Sequence, residues 1–498
     1  MGVSPLDRDV CYRALVAHDA RFDGLFFVAV STTGIYCRPI CRARVPGFDR
    51  CTFYRSAAEA EAAGYRACFR CRPELAPGAA PVDALSRLVA AALRRIDEGA
   101  LSDGAGVDDL ARALGVSGRH LRRATQAELG LAPRALAESR RLALARQLIA
   151  DTALPMTEVA FASGFRSVRR FNAAVRARFG RPPSAMRRAS RDGAAGAEVL
   201  RVTLSYRAPF DWPAMLSHFA ARAIPGVELV RPEAGSYART VHLGGRRGSV
   251  VVDAHPQRAA LRATISASLT EALMPLVARL RRLFDLDADP AAIAAHLGRD
   301  PQLGAHVRAR PGLRVAGAFE PFEATARAVL GQQVSVAAAR TLAGRLAARF
   351  GEALAGAEPE LGRLFPTAEA IARRSVEELA SIGVPARRAA TLRDLARAIA
   401  RGTLTFDAAV EPAEAVAAIA ELPGVGPWTA QYLAMRAFGW PDAFPEGDLG
   451  LRKALGGLSG RQARAAAEPW RPWRAYGATH LWASLQRQPT QVTDARQP

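Results

Sequence analysis

All six cysteines of this 498-residue chain fall between Cys11 and Cys71, and four of them, Cys37, Cys41, Cys68 and Cys71, follow the spacing C-x3-C-x26-C-x2-C. In a large chain such clustering points to a metal or reactive site and not to a disulfide framework. Two close pairs separated by a loop suit one tetrahedral Zn2+, because each pair can place two sulfurs on adjacent corners. Cys11 and Cys51 read as small buried residues. The plainest alternative is a closed zinc site that only folds a small domain. Against it, Arg38, Arg42, Arg44, Arg66, Arg70 and Arg72 interleave with the ligands. There they offset the negative charge of four thiolates and offer contacts to phosphate.

The rest of the chain supports a phosphate-rich partner. Lys and Arg total 68 against 47 Asp and Glu, a formal charge of +21. Such an excess points to a polyanion, and nucleic acid is the commonest. Lys453 is the only lysine, so a mechanism that needs a lysine amine has one candidate. With 50% hydrophobic and 23% charged residues the chain is globular. At roughly 100–200 residues per domain it should hold three or four domains. No basic-flanked apolar leader opens it, and no run of about 18 uncharged apolar residues interrupts it. A soluble, cytoplasmic protein without a membrane partner is expected.

Four stretches follow, giving a multidomain fold that is part α+β and mostly α. Residues 1–76 hold every cysteine and lead into a Pro/Gly/Ala-rich connector. Residues 82–188 are helical throughout, and Arg187–Glu198 reads as a flexible linker. Residues 199–312 suggest a small α+β unit. It shows alternation in Leu200–Tyr206, an amphipathic run from Trp212 to Ile224, and strand-like runs at Tyr237–Leu243 and Ser249–Asp253 around Gly244-Gly245. Residues 313–488 return to helix after helix, with a polar tail.

Within 82–188, Val107–Leu114, the turn at Gly115 and Ser117 as helix cap precede a helix opening Gly118-Arg119-His120-Leu121-Arg122. That is a helix-turn-helix pattern. It recurs at Thr157–Phe165 with the turn at Gly164, followed by Ser167-Val168-Arg169-Arg170-Phe171-Asn172. A helix from Pro133 to Ile149 could join the units rigidly, so that both read one side of DNA. Arg119, Arg122, Arg169 and Asn172 are the outward-facing candidates for base contact.

These residues carry resemblances. Thr32-Thr33-Gly34-Ile35-Tyr36-Cys37-Arg38-Pro39, Cys41-Arg42-Ala43-Arg44 and Gly64–Pro73 resemble the N-terminal domain of the Ada family. The two helical units, closing on Phe179-Gly180-Arg181-Pro182-Pro183-Ser184, resemble an AraC-type DNA-binding domain. The first resemblance implies that Cys37 takes a methyl group from a methylated DNA phosphotriester, with Thr33, Arg42, Arg44 and Arg66 touching DNA. A zinc-bound thiolate is deprotonated and nucleophilic. Methylation makes it a neutral thioether, so the site repels phosphate less and repair becomes an affinity switch. An activator of this kind implies promoter DNA and RNA polymerase as partners.

In the last stretch, Leu422-Pro423-Gly424-Val425-Gly426-Pro427-Trp428-Thr429 is a helix-hairpin-helix turn. Its glycines allow a tight bend, Pro427 fits a first helical turn, and the free amides around Gly424, Gly426 and Thr429 can grip a phosphate. Asp448 follows in a loop, where an isolated Asp is usually a helix cap. Residues 200–488 resemble AlkA-type 3-methyladenine DNA glycosylases nearly end to end. The match runs through Tyr206–Trp212, Arg282–Leu286, Arg310–Arg314, Ala328–Val336, the hairpin, and Arg471–Trp482. It implies a β-rich N-terminal domain and a helical hairpin domain, Asp448 as the catalytic carboxylate, and Trp428, Tyr432 and Trp482 lining a base pocket. Gln333 stands where the family's DNA wedge can be leucine, so wedging here should rely less on apolar insertion.

A mechanism follows from the substrate implied, an N-alkylated base such as 3-methyladenine or 7-methylguanine in double-stranded DNA. It is flipped out, stacks as a cation on aromatic faces and leaves readily, while Asp448 stabilises the electron-poor sugar or orients water. Glycosylases that also cut the strand place a lysine where Trp428 stands, so strand cleavage is not expected. The expectation is one zinc, no organic cofactor, and a methyl-phosphotriester-sensing activator fused to a monofunctional glycosylase. Two alternatives are a regulator whose second half is an inactive DNA clamp, and a glycosylase whose first half only tethers it to damage. No cysteine lies beyond Cys71, so an alkylguanine transferase centre is not expected.

Overall fold

The computed structural model describes residues 6–77, 86–102, 105–187, 199–356, 358–406 and 412–485. Most of the linker read at Arg187–Glu198 and the polar tail lie outside the described residues.

The cysteine-bearing stretch folds around a four-stranded sheet in the order Cys51–Tyr54, Phe27–Val30, Ile35–Cys37, Arg66–Ala67. The first three strands are antiparallel and the last pairs in parallel with its neighbour. Cys37 ends one strand and Cys68 directly follows another, so the parallel pairing brings the two halves of the spacing together. Cys11 and Cys51 are buried in small apolar clusters, as expected.

The helix-turn-helix units appear as Val107–Ala113 with Gly118–Leu129, and Met156–Ala162 with Val168–Phe179. Ser117 and Ser167 accept hydrogen bonds from the amides of His120 and Arg170, which caps each second helix. Gly115 and Gly164 both take the left-handed conformation that their turns require (φ 71° and 84°). The joining helix spans Pro133–Asp151.

Next comes a five-stranded antiparallel sheet in the order Val199–Ser205, Ala260–Ser266, Arg246–Ala254, Ser236–Leu243, Glu228–Arg231. The tight turn at Gly244-Gly245, both at positive φ, closes the central hairpin. Leu200, Val202 and Leu204 face inward from the first strand, the alternation a half-buried strand demands. A buried ionic group fastens this sheet to the helix Pro321–Leu330. Arg239 reaches Glu323 at 2.6 Å, Arg327 bridges Glu323 at 2.9 Å and also pairs with Glu228, and Tyr237 donates to Glu228 at 2.6 Å. Burial opposes ionisation of Glu323, but Arg239 and Arg327 outweigh it and hold its carboxyl down at about 2.

The four stretches are not beads on a string. One continuous apolar core runs from Phe27 and Tyr36 through Leu142, Leu148 and Phe171 to Leu200, Trp212 and Phe284. The turn of the second helix-turn-helix unit packs so closely that a Cβ on Gly164 would lie 2.8 Å from Met274 Sδ. The helices Pro290–Leu297 and Gly304–Ala309 bury Ile293, Leu297 and Val307 with Trp470 and Leu481, in the core of the last stretch. No helix among the described residues is long and apolar enough to cross a membrane.

Candidate functional sites

The four cysteine sulfurs lie within 4.8 Å of one another. Tetrahedral Zn–S bonds of ~2.3 Å place sulfurs about 3.8 Å apart, so this compact set of four thiols suits one zinc ion in number and donor type. Backbone amides of Arg38 and Arg70 donate to Cys71 Sγ and Cys68 Sγ, each at 3.4 Å, as expected for sulfurs bearing negative charge. Cys41 and Cys68 are buried, while Cys37 and Cys71 are half-buried as whole residues.

The surrounding arginines divide into two groups. Thr33, Arg42, Arg44, Arg66 and Arg70 are exposed on this face. Arg38 and Arg72 are not available to phosphate as expected from the interleaving. Arg38 is committed to Asp23 and to the Cys71 carbonyl, and Arg72 to Glu74 (2.9 Å) and Asp151 (2.7 Å). Spacing alone cannot separate a phosphate contact from an internal brace. In the helix-turn-helix units Arg119, Arg122, Arg169 and Asn172 are exposed, and Arg122 also touches Asp108 at 3.3 Å.

The second site gathers residues from three helices of the last stretch. Trp428 and Tyr432 lie on the helix Pro427–Arg436, Trp482 on Arg474–Leu485, and Asp448 is the N-cap of Leu449–Ala454. Asp448 Oδ1 accepts from the Leu451 amide at 3.0 Å and from Trp482 Nε1 at 2.9 Å, while Oδ2 accepts from Trp428 Nε1 at 3.1 Å. The cap and the candidate carboxylate are therefore one residue, and two indoles fix its orientation. The rings of Trp428 and Tyr432 stack at 5.2 Å and 17°. Arg436 lies 5.3 Å from the Tyr432 ring and 5.6 Å from that of Trp482. Burial raises the Tyr432 phenol, but the guanidiniums of Arg436, Arg222 and Arg327 outweigh it and draw it below the usual range.

The hairpin differs from expectation in one place. Only Gly424 needs glycine: its φ is +80° and a Cβ would meet Thr391 Oγ1 at 2.0 Å. Gly426 has an ordinary φ of −93°, caps the helix and faces open space. Thr429 is only 2% exposed and its hydroxyl accepts from Gln332 Nε2 at 3.2 Å. Its side chain is therefore an internal strut between the hairpin and the loop bearing Gln332.

Gln332 was present in the sequence motif but carried no signal of its role. Its Nε2 also donates to the Gly424 carbonyl at 2.9 Å, and its own carbonyl accepts from Arg388 at 2.7 Å. These bonds tie the loop bearing Gln333 to the hairpin. Gln333 is exposed and left-handed (φ 56°), with Val334 (37% exposed) and Val336 (45%) beside it. Apolar surface thus flanks the polar Gln333 on this loop.

Family models match in chain order. They are the metal binding domain of Ada over residues 10–74, a helix-turn-helix domain over 110–189, the AlkA N-terminal domain over 201–320, and the HhH-GPD superfamily of base excision DNA repair proteins over 326–471. A Mycobacterium tuberculosis protein described as a probable bifunctional transcriptional activator/DNA repair enzyme AlkA is 43% identical across 97% of this chain and 98% of its own length. This chain belongs to the family of Ada–AlkA fusion proteins. Its second half is also 37% identical to the Escherichia coli DNA-3-methyladenine glycosylase 2, over 58% of the chain and 99% of the relative. The solved 3-methyladenine DNA-glycosylase of Archaeoglobus fulgidus shares the fold of that half, with a TM-score of 0.50 and 24% identity over 58% of this chain and 99% of its own. The fusion therefore unites an Ada-like regulator with an AlkA-like helical hairpin unit in one chain.

Proposed function

We propose that this chain is a DNA alkylation-repair protein with two activities. One is a methyl-phosphotriester-sensing transcriptional activator, and the other a monofunctional glycosylase that releases N-alkylated bases such as 3-methyladenine. The observation that carries the second is the convergence of Trp428, Tyr432 and Trp482 on Asp448.

In the first half Cys37 is the methyl acceptor, and Cys41, Cys68 and Cys71 complete the zinc site. Bound zinc would keep the sulfurs deprotonated at neutral pH. Cys37 Sγ attacks the methyl carbon of the phosphotriester; the S–C bond forms, the C–O bond breaks, and the phosphodiester leaves as an anion. Thr33, Arg42, Arg44 and Arg66 hold the DNA backbone beside it, while Arg119, Arg122, Arg169 and Asn172 read promoter bases. Loss of one negative charge at the sulfur cluster strengthens DNA binding, which in turn favours recruitment of RNA polymerase.

In the second half the amides around Gly424 and Gly426 hold a phosphate at the start of the helix Pro427–Arg436. Gln333 enters the space left by the extruded nucleotide, braced by Gln332. The base stacks on the aromatic rings, and Asp448, already oriented by both indoles, stabilises positive charge developing on the sugar as the glycosidic bond breaks. The electrons of that bond leave with the alkylated base, and water completes the abasic sugar. Incubation with methylated duplex DNA, followed by mass measurement of N-terminal peptides and of released bases, tests both halves. A methyl on the Cys37 peptide and free alkylbase are expected; the absence of both products would overturn the reading.

A further inference from the structure

A small cavity lies beside Trp482, whose indole N–H donates to Asp448. A cavity of about 50 Å³ is lined by Trp482, Arg436, His218, Met215, Ala214 and Leu313. His218 comes from the helix Trp212–Ala220 of the β-rich unit, so two units build this space. Arg436 is 8% exposed, and its Nε is buried without a hydrogen-bond partner. Its Nη1 is already spent on the Ala316 carbonyl at 2.6 Å. The His218 carbonyl accepts from Arg222, but its imidazole makes no hydrogen bond among the described residues.

An orphaned buried donor is costly unless an occupant satisfies it. A guanidinium N–H can be satisfied only by an acceptor, and the cavity has room for a water or a small polar substituent. We propose that this cavity is the subsite that accepts a carbonyl edge of the extruded base, with His218 and Arg436 as the residues that select for it. The inference rests on the glycosylase reading above and deepens it to lesion preference. Burial together with Arg222, Arg436 and Arg327 holds the His218 imidazole well below its ordinary range, so at neutral pH it offers a neutral N–H instead of a further charge. Arg310 and Arg314 line the cavity with Arg436, and such guanidiniums favour an oxygen that carries partial negative charge over an edge without one. 7-Methylguanine presents a C6 carbonyl and 3-methyladenine presents none, so the subsite favours the former.

The test compares single-turnover release of 7-methylguanine and 3-methyladenine by the full chain and two variants. His218→Phe keeps a ring of similar size and removes the polar edge. Ala214→Leu fills the cavity and leaves both polar residues in place. Each should lower the ratio of 7-methylguanine to 3-methyladenine release by roughly 3- to 10-fold, the worth of one neutral hydrogen bond. An unchanged ratio, or an equal fall for both bases, would overturn the subsite. If the unaltered chain releases neither base, the glycosylase reading itself fails. Asp448→Asn, measured alongside, should lose both bases without changing their ratio, which separates the two failures.

Discussion

Arg146 Nη2 donates to the main-chain carbonyl of Cys68 at 2.8 Å, linking the helix between the two helix-turn-helix units to the backbone of the sulfur cluster. The same guanidinium lies 3.1 Å from Glu74, both side chains only 4% exposed, and it sits over the rings of Phe69 and Phe179. Glu61 makes a second link. It accepts from Tyr36, the neighbour of Cys37, at 2.9 Å and from Ser139 at 2.8 Å, and it pairs with Arg178 on the second recognition helix. The sulfur cluster is thus tied to the second helix of the second helix-turn-helix unit.

Removing one partner of such a buried set leaves the others unsatisfied. Glu61→Gln should destabilise the regulator half by about 1–3 kcal/mol. Thermal unfolding of the variant, with zinc content measured in parallel, checks this. Unaltered melting would mean that the link contributes little.

Zinc binding and methyl transfer should map to different cysteines in a defined way. One zinc per chain is expected, and Cys68→Ser should unfold the first domain because structural zinc supplies its folding free energy. After exposure to methylated DNA, peptide mass spectrometry should place a single methyl on Cys37. A methyl on Cys41, Cys68 or Cys71 would reject that acceptor.

Asp448→Asn keeps the side chain's shape and its place as helix cap but removes the charge facing the sugar. Base release should fall by on the order of 10²–10³. DNA affinity should hold or rise, since a carboxylate near phosphates is repulsive before reaction. Release at the unaltered rate would remove Asp448 from the proposed role.

Lys453 lies exposed on the helix Leu449–Ala454, and Trp428 occupies the hairpin position that a strand-cleaving enzyme gives to lysine. Borohydride added during turnover should therefore trap no protein–DNA adduct. An adduct that disappears in Lys453→Arg would show strand-cleaving chemistry instead.

Asp285 supplies a test in pH. Burial, opposed by Arg314 and by hydrogen bonds from Tyr476 (2.8 Å) and the Val315 amide, raises its carboxyl from 3.8 to about 6. The native state then holds a proton that the unfolded chain has already lost between pH ~4 and ~6. Stability from this group is greatest at low pH and declines as pH rises through that window. Asp285 also has φ 53°, a conformation Asn adopts readily. Asp285→Asn should keep the turn and lose this component of the slope. Unfolding of both proteins at pH 4.5 and 7 measures the difference, which should be larger at the higher pH in favour of the variant.

Much of this was legible in the residues because the signals were local. Four cysteines at short spacings, Gly115 and Gly164 before serine caps, and the Gly244-Gly245 turn each encode a backbone shape within a few positions. Asp448, Trp428 and Tyr432 are named through the resemblance to AlkA-type glycosylases, and the fold brings the three together. What escaped notice depends on distant partners. Thr429 looks like a surface contact until Gln332 is seen to reach it, and Arg38 and Arg72 look like phosphate ligands until Asp23 and Asp151 are found beside them. His218 and Arg146 stand in unremarkable helical patterns, and only packing between units shows what they face. Gln332 has no periodicity to mark it, because its hydrogen bonds join a loop to a turn.

The solitary ε-amine has a practical consequence. Because Lys453 is the only lysine and stands exposed on the helix that Asp448 caps, one amine-reactive fluorophore placed there would report from that helix, with the chain's α-amine as its competitor. Arrival of an extruded nucleotide could then be followed as an optical signal in the unmutated chain, separately from the slower appearance of free base.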